Sequence, residues 1–180
     1  MTGKTIKKFT LFAILLLFSA QALAIEASKV PKDRQSATGL YFTSLEASHY
    51  VARHAGSTLF LDIRDPVEIF TVGMPLAVDH NVTFKYVDPS KWDAKNETFG
   101  MRGNPDFVKG VDAQLKAKGL TRSSTIILIC GSGKRAAKAA TALKKAGFDK
   151  VYSVVDGYSA WQKDGLKWSR KLVKDKVMGQ

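Results

Sequence analysis

The chain has 180 residues, 45% of them hydrophobic and 10% aromatic, enough to bury one full-sized core in a single domain. Its 28 basic and 16 acidic residues give a formal charge of +12, a field that draws anions. No dense basic run is interleaved with aromatics, which argues against nucleic acid as a partner. A single cysteine, Cys130, excludes a disulfide within the chain, and His49, His54 and His80 lie scattered without ligand spacing, so neither a metal nor another cofactor is expected.

Residues 1–24 read as a secretory signal peptide. Lys4, Lys7 and Lys8 make a positive start, Phe9 to Ala20 is an almost unbroken apolar run, and Ala22-Leu23-Ala24 supplies the small-x-small pattern before a cut. The apolar run is short of the roughly 20 residues that span a bilayer, and no cysteine near the cut supports lipoprotein processing. Cleavage before Ile25 and release into the periplasm, without a stable membrane anchor, is the expectation. Losing three lysines lowers the formal charge from +12 to +9.

After a lead segment, 25–38, the domain is expected over 39–165. Tyr41-Phe42-Thr43 reads as a short strand, and Ser44 as the cap of a helix that runs to about His54 and stops near Gly56. Leu59 to Asp62 is a second strand. Asp65-Pro66-Val67-Glu68 opens the next helix with a capping acid, a proline at the first helical position and a glutamate three residues after the cap. A third strand falls within Leu76 to Phe84. Residues 85–103 turn polar and read as an irregular surface excursion, with Trp92 pinning its own loop. Asn104-Pro105 caps a helix whose apolar face is Phe107, Val108, Val111 and Leu115 and whose stop is Gly119.

Ser124 to Cys130 is a continuous apolar strand of the kind covered on both faces in a parallel sheet. Ala136 to Ala146 follows as a helix ended by Gly147, then a strand over Val151 to Val155 and a helical turn around Tyr158 to Gln162. Residues 166–180 form a basic tail, expected as a solvated helix face or frayed end. Strands alternating with helices predict an α/β sandwich with a mostly parallel sheet.

In such a sheet ligands bind outside the carboxyl ends of the strands, which is where Cys130 stands. Between it and the helix lie Gly131, Ser132, Gly133, Lys134 and Arg135. The glycines let the backbone fold tightly and turn N–H groups inward at a helix amino end. That dipole and the two cations favour an anion such as a thiolate. In an exported chain an unpaired cysteine is either an inert core residue or one kept for its reactivity, and the loop after it favours the second.

Cys-Gly-Ser-Gly-Lys-Arg resembles the C-x-x-G-x-R active-site loop of single-domain rhodaneses, sulfurtransferases that carry sulfur as a cysteine persulfide. Leu61-Asp62-Ile63-Arg64-Asp65-Pro66 is similar to their D-V-R-x-P stretch, and Val155-Asp156-Gly157 with Trp161 to their final G-x-x-x-W region. The resemblance implies a three-layer α/β/α fold with a five-stranded parallel sheet. It implies Cys130 as nucleophile, the backbone N–H groups of Gly131 to Arg135 as holders of the transferable sulfur, and a small anionic donor such as thiosulfate. The acceptor would be cyanide or a thiol, which an acceptor protein could carry. Asp62 is expected as the ionic partner of Arg135, with Arg64 supporting.

Gly73-Met74-Pro75-Leu76-Ala77 departs from the family's G-H-x-P-G-A stretch, leaving the course of the third strand open. Two other function classes stay in view. Phosphatases of this fold use a loop one residue longer than the four residues between Cys130 and Arg135, and an arsenate reductase would usually need a second cysteine. A rhodanese module that carries sulfur or docks a partner without turnover would share this cysteine and loop.

Overall fold

The computed structural model describes residues 25–171 and 174–177; the expected signal peptide lies outside the described residues. Within them no helix is long and apolar enough to cross a membrane. After two short 3-10 turns, Ala27–Lys29 and Lys32–Arg34, the elements begin with β1 (Tyr41–Phe42), α1 (Ser44–His54), β2 (Thr58–Asp62) and α2 (Pro66–Val72). Next come β3 (Met74–Pro75), β4 (His80–Asn81), β5 (Lys85–Asp93), β6 (Thr98–Gly103) and α3 (Phe107–Ala117). The chain continues through β7 (Thr125–Ile129), α4 (Lys134–Lys145), β8 (Val151–Val154), α5 (Gly157–Lys163), β9 (Trp168–Ser169) and α6 (Lys174–Val177).

Five strands form one sheet in the order β1-β8-β7-β2-β4, and every pairing in it is parallel. The expected fold class is thus the observed one. Strand alternation divides the core into two layers. Leu59, Leu61, Ile126, Leu128 and Cys130 pack with Val111, Leu115, Ala136 and Leu143 of α3 and α4. Phe60, Ile127 and Ile129 pack with Ala47, Val51, Ile69 and Trp161 of α1, α2 and α5. Every residue of β2 is buried, as a strand covered on both faces requires.

The helix starts carry their own reasons. Thr43, one residue before the expected cap, leaves the strand to close a capping box with Glu46: Thr43 N–H donates to Glu46 Oε2 at 2.7 Å, and Glu46 N–H to Thr43 Oγ1 at 3.3 Å. At α2, Val67 N–H donates to Asp65 Oδ1 at 2.9 Å and Asp65 N–H to Glu68 Oε2 at 3.0 Å, the box read from the sequence. The helix after Cys130 begins at Lys134, two residues before the expected start, so Lys134 and Arg135 belong to its first turn.

Three regions differ from expectation. Residues 85–103 are not irregular: β5 and β6 pair as an antiparallel ribbon. The turn between them is closed by Asp93, whose carboxylate accepts from Lys95 N–H and Asn96 N–H, and by Glu97 at φ 50°. The ribbon stands largely clear of the core, so its strands lack the alternation that would have marked them. Trp92 sits edge-on against Phe99 at 5.4 Å and stays 59% exposed, within its own ribbon. The Gly73 to Ala77 departure builds β3, which pairs antiparallel with β9 in a separate ribbon, while the sheet's edge strand is β4. Finally, the tail is not wholly solvated. Trp168 Nε1 donates to Val72 O at 2.9 Å, Val177 is buried in the second core layer, and Lys176 Nζ reaches Val78 O at 2.6 Å.

Candidate active site

Cys130 leaves the carboxyl end of β7, the central strand, and is fully buried. Gly131 is half-buried, Ser132 exposed, and Gly133 buried. Gly133 has φ 85° and caps α4; a Cβ there would collide with the Val155 carbonyl, its carbon only 2.6 Å away. The loop therefore lies flat against the end of β8. On the other side Gly157, at φ 65°, lets the start of α5 approach, since a Cβ on it would stand 2.6 Å from Cys130 O. Tyr158 N–H donates to that same oxygen at 2.9 Å. The turn is held from both flanks by backbone that only glycine permits so close.

Arg135 projects from the first turn of α4 back over the loop: its Nη2 would be 3.4 Å from a Cβ on Gly131. Its partner is Glu68, not the expected Asp62. Nη1 donates to Glu68 Oε2 at 2.5 Å and Nη2 to Oε1 at 2.6 Å, a two-pronged pair between α4 and α2. Asp62 is taken by Arg64, two residues along the same turn. Arg64 Nε donates to Oδ1 at 3.0 Å, Nη2 to Oδ2 at 2.6 Å, and Arg64 N–H to Oδ1 at 3.1 Å. Both are completely buried.

With its carboxylate already saturated by near neighbours, Asp62 has little left to offer α4, whereas Glu68 in α2's first turn faces Arg135 directly. Arg64 goes on to bond Gly73 O at 2.8 Å and lies 4.6 Å from the Tyr158 ring and 5.7 Å from that of Trp168. It clamps the end of β2 to α2, α5 and β9.

Burial works against the charges of Arg135 and Glu68, but their mutual hydrogen bonds and attraction prevail. Arg135 is held above its ordinary value, with smaller contributions from Cys130 and Asp62. Glu68 is held below its ordinary 4.5, helped by the Asp65 backbone and Arg64. Both stay ionised at neutral pH. Lys134 turns away from the loop to an exposed pair with Asp33 of the lead segment at 2.8 Å. Two cations at a helix amino end oppose its dipole; the carboxylates of Glu68 and Asp33 offset this.

Of the expected residues, the structure brings Cys130, Gly131, Gly133 and Arg135 together, with Ser132 on the rim. Lys134 is diverted, and Asp62 with Arg64 forms a separate buried pair beneath. Glu68, Gly157 and Tyr158 were missed as site residues. Glu68 was visible as a cap and Gly157 within the G-x-x-x-W stretch, but no spacing in the sequence says which helices face each other. Among the described residues no cluster of His, Cys, Asp or Glu suits a metal ion.

The model of the rhodanese-like domain family matches residues 47–164. Among curated proteins, the chain is 46% identical over 67 residues to thiosulfate sulfurtransferase 16, chloroplastic, of Arabidopsis thaliana, covering 37% of this chain and 52% of that protein. It is 32% identical over 107 residues to rhodanese-like domain-containing protein 15, chloroplastic, of the same plant, covering 59% and 50%. The chain thus spans about half the length of these curated relatives. A solved thiosulfate sulfurtransferase from Pseudomonas aeruginosa superposes with a TM-score of 0.53 at 16% identity, covering 78% of this chain and 21% of that one, a likeness of fold. With Cys130 at the sheet's carboxyl edge, a C-x-x-G-x-R loop behind it and the family's model matched from 47 to 164, the chain belongs to the rhodanese-like domain family.

Proposed function

We propose that the protein is a sulfurtransferase that moves sulfane sulfur from an anionic donor such as thiosulfate to cyanide or a thiol through a persulfide on Cys130. The observation that carries this is the place of Cys130: at the end of the central strand, under a tight glycine loop, against the amino end of α4, with Arg135 laid over it. In the first half-reaction the thiolate attacks the donor's outer sulfur. A new S–S bond forms, the donor's S–S bond breaks, and sulfite leaves with the electron pair. In the second, cyanide or a thiolate attacks the outer persulfide sulfur and the Cys130 thiolate departs with its electrons. Loop N–H groups and the helix dipole stabilise the sulfur as it becomes anionic in each half. Four residues between Cys130 and Arg135 suit one sulfur atom better than a phosphoryl group with three peripheral oxygens.

Thiosulfate should add the mass of one sulfur atom to the protein, removable by cyanide, and Cys130→Ser should abolish the adduct. A serine variant that still makes thiocyanate from thiosulfate and cyanide overturns the assignment. The complete burial of Cys130 favours a second reading, a sulfur carrier or docking module in which the loop opens only for a partner. Rapid turnover with free cyanide excludes it; stoichiometric loading without turnover selects it.

The Ala22-Leu23-Ala24 pattern supports export and a periplasmic place of action. Amino-terminal sequencing of the exported protein should begin at Ile25; a retained Met1 overturns this.

A further inference from the structure

Although the chain carries a formal +12, three cations around the cysteine loop are each matched by a carboxylate. Arg135 is forked by Glu68, Arg64 by Asp62, and Lys134 is paired with Asp33. Asp65, which caps α2, and Asp156, which accepts from Ser44, add negative charge at the same edge, and Arg34, bonded to Val155 O, adds a positive one. Glu68 is the carboxylate that matters most, because its partner lies over the loop itself. Beside it a groove of about 210 Å³ is lined by Val67, Thr71, Val72 and Tyr158 together with Glu68. Its walls are mainly apolar and suit an organic substituent on a donor.

We propose that Glu68 sets the charge of the sulfur donor: by neutralising Arg135 beside Cys130, it makes the site select singly charged organic sulfane-sulfur donors over the thiosulfate dianion. This rests on the persulfide reading above. Loading by thiosulfate brings three negative charges together, thiolate and dianion, and ends with a persulfide anion and a sulfite dianion. Loading by an organic thiosulfonate, R-SO2-S⁻, brings two together and ends with a persulfide anion and a sulfinate. In both, the outer S–S bond breaks and its electron pair leaves on the oxidised sulfur. The repulsion from Glu68 acts twice as strongly on the dianion, and its partly buried position limits screening.

The test measures loading rates of Cys130 by intact mass with thiosulfate and with methanethiosulfonate, which presents the same reacting sulfur with one charge fewer. Glu68→Gln, which keeps the length of the side chain and its capping oxygen, should raise the thiosulfate-to-methanethiosulfonate rate ratio by about 5- to 10-fold. Asp112→Asn frees an arginine of a similar pair, Asp112–Arg122, just before β7 at the opposite end of the sheet, and should leave the ratio unchanged. A ratio unaltered by Glu68→Gln, or both rates falling together, overturns the proposal and leaves Glu68 a purely structural residue.

Should Glu68→Gln fail to fold, the wild type decides alone: benzenethiosulfonate should load at least about threefold faster than its ring-sulfonated analogue, and equal or reversed rates overturn the proposal. If no donor places sulfur on Cys130 of the wild type, the persulfide reading itself falls; adducts with an unmoved ratio sink only the role of Glu68.

Discussion

Glu68 serves two structures at once, closing the cap of α2 through Asp65 N–H and holding Arg135 over the cysteine loop. Its carboxyl titrates below its ordinary 4.5 in the folded chain. A depressed carboxylate stabilises the fold fully above the unfolded value, and that contribution is lost as pH falls through the folded one. The wild-type protein should therefore lose its advantage over Glu68→Gln progressively below about pH 4.5, as read from urea midpoints taken at intervals down to about pH 3. An advantage that stays constant across that range argues against ionisation of Glu68 as its source. With 18% and 28% of the two side chains exposed, the pair falls between surface and buried bridges, so Arg135→Ala should cost about 1–3 kcal/mol.

At the scale of elements, the cysteine turn depends on contact between two strand ends, of β7 and β8, and three helix starts, of α2, α4 and α5. Gly133 and Gly147 offer a matched comparison, both at positive φ, 85° and 89°. A Cβ at Gly147 meets nothing within 4 Å, whereas one at Gly133 runs into the Val155 carbonyl. Gly147→Ala should cost about 1 kcal/mol from backbone strain alone. Gly133→Ala should cost at least about 2–3 kcal/mol, strain plus displaced backbone, and should also slow sulfur loading on Cys130. Chemical unfolding and intact mass check both; equal costs at the two sites would mean that the loop does not lean on β8. The ribbon of β5 and β6 is tied to the same edge through Val87 N–H and Asp65 Oδ2 at 2.7 Å.

Across the whole molecule, the tail is part of the fold. Trp168 lies beside Arg64, β9 pairs with β3, and Val177 enters the core layer of α1 and α5. Ending the chain at Gly165 should lower stability by about 3–5 kcal/mol, the scale of losing a buried aromatic and its neighbours. Replacing Lys163, Arg170, Lys171 and Lys174 by Gln should leave stability within about 0.5 kcal/mol and alter only the salt dependence of anion encounter. Thermal melting separates the two, and a truncated chain that melts like the full one would show the tail to be dispensable.

The alternation of the main strands with helices, the two-faced burial of β7 and the cap of α2 were legible in the amino-acid sequence, because each depends on residues within a few positions of one another. The same holds for Cys130 and its glycine loop: an apolar strand, a turn that needs positive φ and a helix start are local events. Tertiary structure alone decided which carboxylate meets Arg135. Asp62 and Glu68 are both near in sequence to the second strand's end, but the choice depends on Arg64 saturating Asp62 and on α2 facing α4. It also decided that Lys134 turns to Asp33, that Gly157 can approach Cys130 O, and that residues 85–103 pair as a ribbon without a core face. Local pattern encodes where an element starts and which face is apolar. Which charged groups end up within 3 Å of each other depends on packing between elements distant in sequence, and the electrostatics of the candidate site are set there.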